Sequence, residues 1–185
     1  MKYLELTKQF IKSKADEKGK KIDHLQNTLH WVKQLDPQAD EALQIAAFAH
    51  DVSRLVLGVD ISELKENKKG FLDVEHMREH QEKGAEIITK YLLEKGADKE
   101  FVSDVGQLIS FHEVGGTPRA DILKDADSIS FFETNAEDFI KKFVPLVGKE
   151  KVEDKITWMF ARISLDKARD IVRDMYKECI KKCRK

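Results

Sequence analysis

The sequence predicts an all-α fold, and three observations carry that expectation. Apolar residues recur at three- and four-residue spacing in nearly every segment, the period of an amphipathic helix. The two-residue alternation of a half-buried strand is hard to find. Charged residues make up 36% of the 185 positions and hydrophobic ones 41%, with only three prolines, a mixture suited to long helices with salt-laced outer faces. A chain of this length builds one hydrophobic core, so a single compact domain over 1–185 is expected, a bundle of eight or nine helices.

The first helix, 2–18, lies in a stretch (MKYLELTKQFIKSKADEKGKK) that is charged throughout and lacks the apolar run of a secretory signal. No later run approaches the roughly 18 apolar residues of a membrane span, so a cytoplasmic protein without membrane contact is expected. Helices over 22–35 and 39–51 are separated by Asp36 and Pro37. A short helix is expected at 61–68, inside a segment from Leu57 to Asp73 whose two glycines, scattered charges and weak periodicity mark a partly ordered excursion, placed to act as a lid. Then come 76–95 and 98–111, the latter capped by Asp98. Gly115, Gly116 and Pro118 make a break before 121–143, and Pro145 and Gly148 make another before 149–162. Trp158, Met159, Phe160 and Ile163 read as core packing. In the last helix, 166–182, Cys179 and Cys183 continue the apolar stripe of Ala168, Val172 and Met175. Four positions apart on a helix is poor geometry for a disulfide, so reduced thiols are the simple reading and a metal or redox pair the alternative.

Thirty-three Lys and Arg nearly balance 34 Asp and Glu, which leaves no broad positive field for a nucleic-acid duplex. Any site for a polyanion is local. The chemistry concentrates in AAFAHDVSR, where His50 is followed directly by Asp51. Ala46, Ala47 and Ala49 let this helix be buried deeply, and its end then delivers an imidazole and a carboxylate to the interior. Buried groups of that kind need a partner, and a divalent cation satisfies both types.

With a histidine upstream in IDHLQNTLHWV and an aspartate downstream in ILKDADSIS, this series resembles the HD-domain superfamily of metal-dependent phosphohydrolases. The likeness runs from about His24 to Ser130, within a motif-bearing core of 22–145. It implies an all-helical domain in which His24, His50, Asp51 and Asp127 are metal ligands. His24 fits the first position, because Asp-His commonly opens that helix in the family and 50 − 24 gives a separation of 26 residues. His30, the rival, lies roughly 240° away around the helix and cannot share its face. Asp125 caps or braces the helix start. Where the family pattern usually places another acidic residue, this chain has Ser130.

His80 in EHQEKGAEII and His112 in ISFHEVGG match the family's mid-chain histidines, and subfamilies with both tend to hold two metals. Asp51 would then bridge the ions, as in the dinuclear phosphodiesterase branch, although the Gly-Tyr-Pro element of that branch is missing. The implied cofactor is one or two divalent ions: Mn, Fe, Co, Ni, Mg or Zn. The implied partner is a small phosphorylated substrate such as a nucleotide, and a homodimer is compatible with the sequence. In the expected mechanism, water held at His50 and Asp51 attacks phosphorus while Arg54 or Lys83 steadies the non-bridging oxygens. Either cation reads equally as a solvated charge, and Arg119 and Lys124 are weaker candidates. Glu113 reads as an orienting partner for a ligand histidine or as a surface residue. His30 and His76 read as structural or solvent-facing. Two other functions stay open on this fold: a di-iron oxygenase, and a non-catalytic nucleotide sensor.

Overall fold

A computed structural model of the chain describes residues 1–58, 66–67 and 69–184, and among these every regular element is helical. The first helix, α1 (Lys2–Lys18), stops where Gly19 takes the left-handed conformation (φ 60°) that few side chains tolerate. α2 (Asp23–Leu35) follows, and then α3 (Glu41–Ala49), which Asp40 caps by accepting from the Leu43 amide at 2.9 Å. Ala42 to Ala49 are all buried, because α3 is the central helix, packed against α1, α2 and two later helices.

α3 ends two residues before the predicted limit of 51. A turn at His50 and Asp51 leads into the short α4 (Val52–Val56). Most of the predicted helix at 61–68, and with it part of the proposed lid between Leu57 and Asp73, lies outside the described residues. The part that is described includes a 3-10 turn at Gly70–Leu72. Next come α5 (Val74–Glu94), capped by Asp73, and α6 (Lys99–Ser110), capped by Asp98 as the sequence predicts. α7 (Pro118–Ser130) starts earlier than predicted, since Pro118 occupies the first helical position, where its missing N–H costs nothing.

The predicted continuous helix over 121–143 is also corrected. A π turn at Phe131–Asn135 divides α7 from α8 (Ala136–Val147), and its extra residue rotates α8 by about 100° against α7. α9 (Lys149–Ala161) and α10 (Asp166–Cys183) complete the chain.

One apolar cluster joins α1, α2, α3, α5, α6 and α7, and a second joins the π turn to α8, α9 and α10. Trp31 and Leu35 of α2 pack against both. Met159 and Ile163 are buried in the second cluster, as predicted, and Phe160 stacks on Tyr176 at 4.3 Å. Cys179 and Cys183 are buried free thiols, and burial pushes Cys183 up to about 11, which makes it a poor ligand or nucleophile. Among the described residues no helix is long and apolar enough to cross a membrane.

Candidate metal centre

Four histidines and two aspartates from five places in the chain converge at the end of α3. His24 comes from the first turn of α2, His50 and Asp51 from the turn after α3, His80 from α5, His112 from just beyond α6, and Asp127 from α7. His24 Nε2 lies 3.0 Å from Asp127 Oδ1 and 3.3 Å from His50 Nε2, and His50 Nε2 lies 3.3 Å from the same carboxylate oxygen. Asp51 Oδ1 is 3.0 Å from His80 Nε2, 3.9 Å from His112 Nε2 and 4.0 Å from His50 Nε2. Atoms sharing an ion at about 2.1 Å stand roughly 3 to 3.4 Å apart, and the four separations of 3.0 and 3.3 Å fit common coordination, while the two longer ones exceed it. His24, His50 and Asp51 form one group of donor atoms lying within 4.8 Å of one another, and Asp51, His80 and His112 form another that shares Asp51. His30 is exposed on the opposite side of α2 beside Trp31.

The tautomer of each ring follows from what holds its other nitrogen. His50 Nδ1 lies 3.0 Å from the Ala47 carbonyl and His112 Nδ1 lies 2.7 Å from the Ile109 carbonyl. A carbonyl only accepts, so each Nδ1 carries the proton. His24 and His80 reach the same state through serines. Ser130 Oγ donates to the His24 carbonyl at 2.8 Å, and Ser53 Oγ donates to the His80 carbonyl at 3.0 Å. A hydroxyl has one hydrogen, so toward the rings both serines accept, from His24 Nδ1 at 2.9 Å and from His80 Nδ1 at 2.5 Å. With every ring neutral, all four Nε2 atoms thus present lone pairs to one another and to two carboxylates. The Nε2 atoms of His80 and His112 are buried without any hydrogen-bond partner. Lone pairs facing lone pairs in a dry interior call for a cation, and this donor set fits one.

Charge in the metal-free centre is arranged accordingly. Burial pulls His50 down, but Asp127 and Asp51 outweigh it and raise the imidazole to about 9. His112 is driven the other way, to about 3, chiefly by burial. Burial also lowers His80, with Arg54 adding to the effect. Burial opposes ionisation of Asp51 and Asp127, yet Arg54 beside the first and Arg162 beside the second hold both well below the usual carboxylate range.

Arg54 is at the centre, though as a clamp. It donates to Asp51 at 3.0 and 3.2 Å and to Glu113 at 3.1 Å. Lys83 is less central, for it pairs with Glu79 at 3.1 Å on the rim of the cavity in front of the centre. Glu113 is fully enclosed and takes Arg54 and Arg162, whereas the nearest imidazole nitrogen, His112 Nε2, stays 3.9 Å away. Asp125 braces a different helix from its own, accepting from the Ser164 and Leu165 amides where α10 begins. Arg119 is tied to Asp104 and Asp40, and Lys124 to Asp121 and Ser164, so both weaker candidates serve the scaffold.

Several residues at the centre escaped the sequence reading. Arg162, just after α9, reaches both Glu113 and Asp127 and so links the carboxylate of α7 to the far wall. Lys155, two turns earlier, is buried on the same side, and the Trp158 ring lies beneath both cations, 4.1 Å from the ammonium and 4.6 Å from the guanidinium. Trp158 is therefore a platform for charge as well as core. Ser53 and Ser130 fix two ligand rings, and Ser130 does so at the position where the HD pattern has an acid.

The centre opens into a cavity of about 500 Å³. No curated protein and no solved structure matches the chain. A family model described as "Domain of unknown function (DUF4202)" matches residues 7–184. The match runs from the second turn of α1 to the end of α10 and takes in every element of the centre, and the chain belongs to the DUF4202 family.

Proposed function

We propose that the protein is a metal-dependent phosphohydrolase acting on a small phosphate ester, of the kind the HD-domain resemblance implies. The observation that carries this reading is that all four histidines are held by Nδ1, which turns their four Nε2 atoms toward two carboxylates, bare once His50 releases its second proton. His24, His50, Asp51 and Asp127 would hold one divalent ion, and Asp51, His80 and His112 a second, with Asp51 shared. Four imidazoles favour manganese, iron, cobalt, nickel or zinc over magnesium.

A divalent ion so held supplies a water acidified toward neutrality and positive charge against the phosphoryl oxygens. The protein's own groups prepare the rest. Arg54 and Arg162 lock the carboxylates, so their geometry is set before substrate arrives. Arg54 also lines the cavity, and its guanidinium has five N–H groups, enough to meet a phosphoryl oxygen beyond its two carboxylate partners. Lys83, at the rim, serves reception of an anion more than the reaction itself. In the net change the oxygen of water bonds to phosphorus, the ester P–O bond breaks, and the departing oxygen takes up a proton.

The test is metal analysis of protein purified without chelators, followed by a panel of phosphomonoesters and phosphodiesters with manganese, cobalt, nickel and magnesium. One to two transition-metal ions per chain are expected, with turnover lost on chelation and restored by metal. A chain with no affinity for any of these ions would end the proposal. Iron-loaded protein that consumes oxygen and leaves every ester intact would replace it with an oxygenase.

A further inference from the structure

We propose, resting on the phosphohydrolase reading, that the substrate is a phosphate ester of an apolar alcohol or phenol, its phosphoryl group held by Lys155 and its leaving group by an aromatic wall of the same cavity.

Lys155 is only 6% exposed and lies on the cavity wall. Among the described residues its ammonium has no hydrogen bond or ion pair; its neighbour is the face of Trp158. The other buried cations near the centre each have a carboxylate: Arg162 has Glu113 and Asp127, and Lys124 has Asp121. An ammonium withdrawn from water needs an anion in reach, and the cavity is where one can arrive. A phosphoryl group lying against the metal centre supplies it.

One wall of the cavity has a different chemistry, although Asn135, Asp138 and Lys142 line its edge. Phe71 from the 3-10 turn meets Phe139 and Phe143 of α8, with ring centroids at 4.9 and 5.1 Å. Phe131 extends the wall at 5.6 Å from Phe139, and the buried Met159 adds a thioether. The π turn allows this, since it rotates α8 so that Phe139 stands beside Phe131. A sugar or nucleobase pressed against these rings would lose its water there and gain no hydrogen bond from them in return. An aryl or branched alkyl group would lose only apolar exposure to water, which favours binding. A volume of about 500 Å³ suits a phosphate with one such group.

The experiment is calorimetric titration of the metal-loaded protein with two non-hydrolysable probes, methylphosphonate and phenylphosphonate. Phenylphosphonate is expected to bind at least about tenfold tighter. Phe139→Ala should remove that preference and leave methylphosphonate unchanged, and Phe71→Ala should do so in part. Lys155→Gln should weaken both probes by about tenfold, with Lys155→Arg restoring them. Thermal unfolding of each variant identifies any that fail to fold, and the comparison of the two probes on the unaltered protein stands without variants. Equal affinity for the probes, in a protein that still needs metal and Lys155 to bind them, overturns the apolar substrate while the phosphohydrolase reading survives. Failure of both phosphonates to bind a metal-loaded centre overturns both.

Discussion

The two halves of the centre contain the same residue types and stand in opposite states of satisfaction. On the α2 and α7 side, His24 and His50 crowd one oxygen of Asp127, and a proton on His50 already answers the negative charge. On the α5 and α6 side, the Nε2 atoms of His80 and His112 have no hydrogen-bond partner, and burial keeps both rings neutral. A proton and a metal ion compete for the same lone pairs. The first half must therefore release a proton to take an ion, whereas the second is ready for one. What separates them is how the carboxylates weigh against burial: Asp127 stands 3.3 Å from His50 Nε2, whereas both carboxylates near His112 Nε2 stay 3.9 Å away and His80 has Arg54 against it.

Asp51 belongs to both halves, so its loss has the largest effect. Asp51→Asn should abolish metal retention and lower turnover by about a thousandfold or more, with the fold intact by circular dichroism. Normal activity in that variant would remove the shared carboxylate from the scheme. The next variants separate the halves. His112→Ala deletes a ligand with no alternative partner and should lower the affinity of the tighter ion about 100-fold, read by competition with a metal-chelating dye. His24→Ala, in the half that can rely on protons, should chiefly lower the stoichiometry from two ions toward one. Equal effects of the two variants would erase the distinction.

Removing metal should expose the contrast as a dependence of stability on pH. His112 has a folded value near 3 against 6.5 ordinarily, so the unfolded chain takes a proton that the folded one refuses. Its contribution is present above pH 6.5 and is lost as the pH falls toward 3. His50 has a folded value near 9, so its contribution is complete below 6.5 and is lost as the pH rises through 9. Each limb amounts to several kcal/mol at most. The urea midpoint of chelated protein should peak near pH 6.5, with His112→Gln flattening the acid limb and His50→Gln the alkaline one. Variants that move neither limb would show that the two halves titrate alike.

The fold and the donor set were legible for different reasons. Helical periodicity is local, and caps such as Asp98 are read from the residue itself, so the elements followed from the sequence. The convergence of six side chains is not local, and it was anticipated because an ordered His, His-Asp, His, His, Asp series resembles a known arrangement. The π turn was missed because an i to i+5 pattern leaves no compositional mark, and that one residue turned a predicted helix into two. Arg162 and Lys155 were passed over because lone charges are taken for surface. Their positions beside the buried stripe Val152, Ile156, Met159 and Ile163 were the available signal. The roles of Ser53 and Ser130 depend on rings 27 and 106 residues away, a relation that no spacing within either segment reveals.

Those two serines give the smallest effects and the finest test of the comparison. Loss of a group that orients a ligand typically lowers metal affinity about 10- to 100-fold. Ser53→Ala should lie toward the upper end, because it leaves the Nδ1–H of His80, a side chain only 7% exposed, with no acceptor and little access to water. Ser130→Ala should lie toward the lower end, because each ring keeps a carboxylate at 3.0 Å but His24 is only partly buried, so water can take the place of the lost hydroxyl. Threonine at either position retains the hydroxyl and should recover affinity wherever its methyl group fits. If Ser130→Ala proved the more damaging, the α2 side would depend on its tautomer as strictly as the α5 side, and its apparent saturation by protons would not extend to how it holds metal.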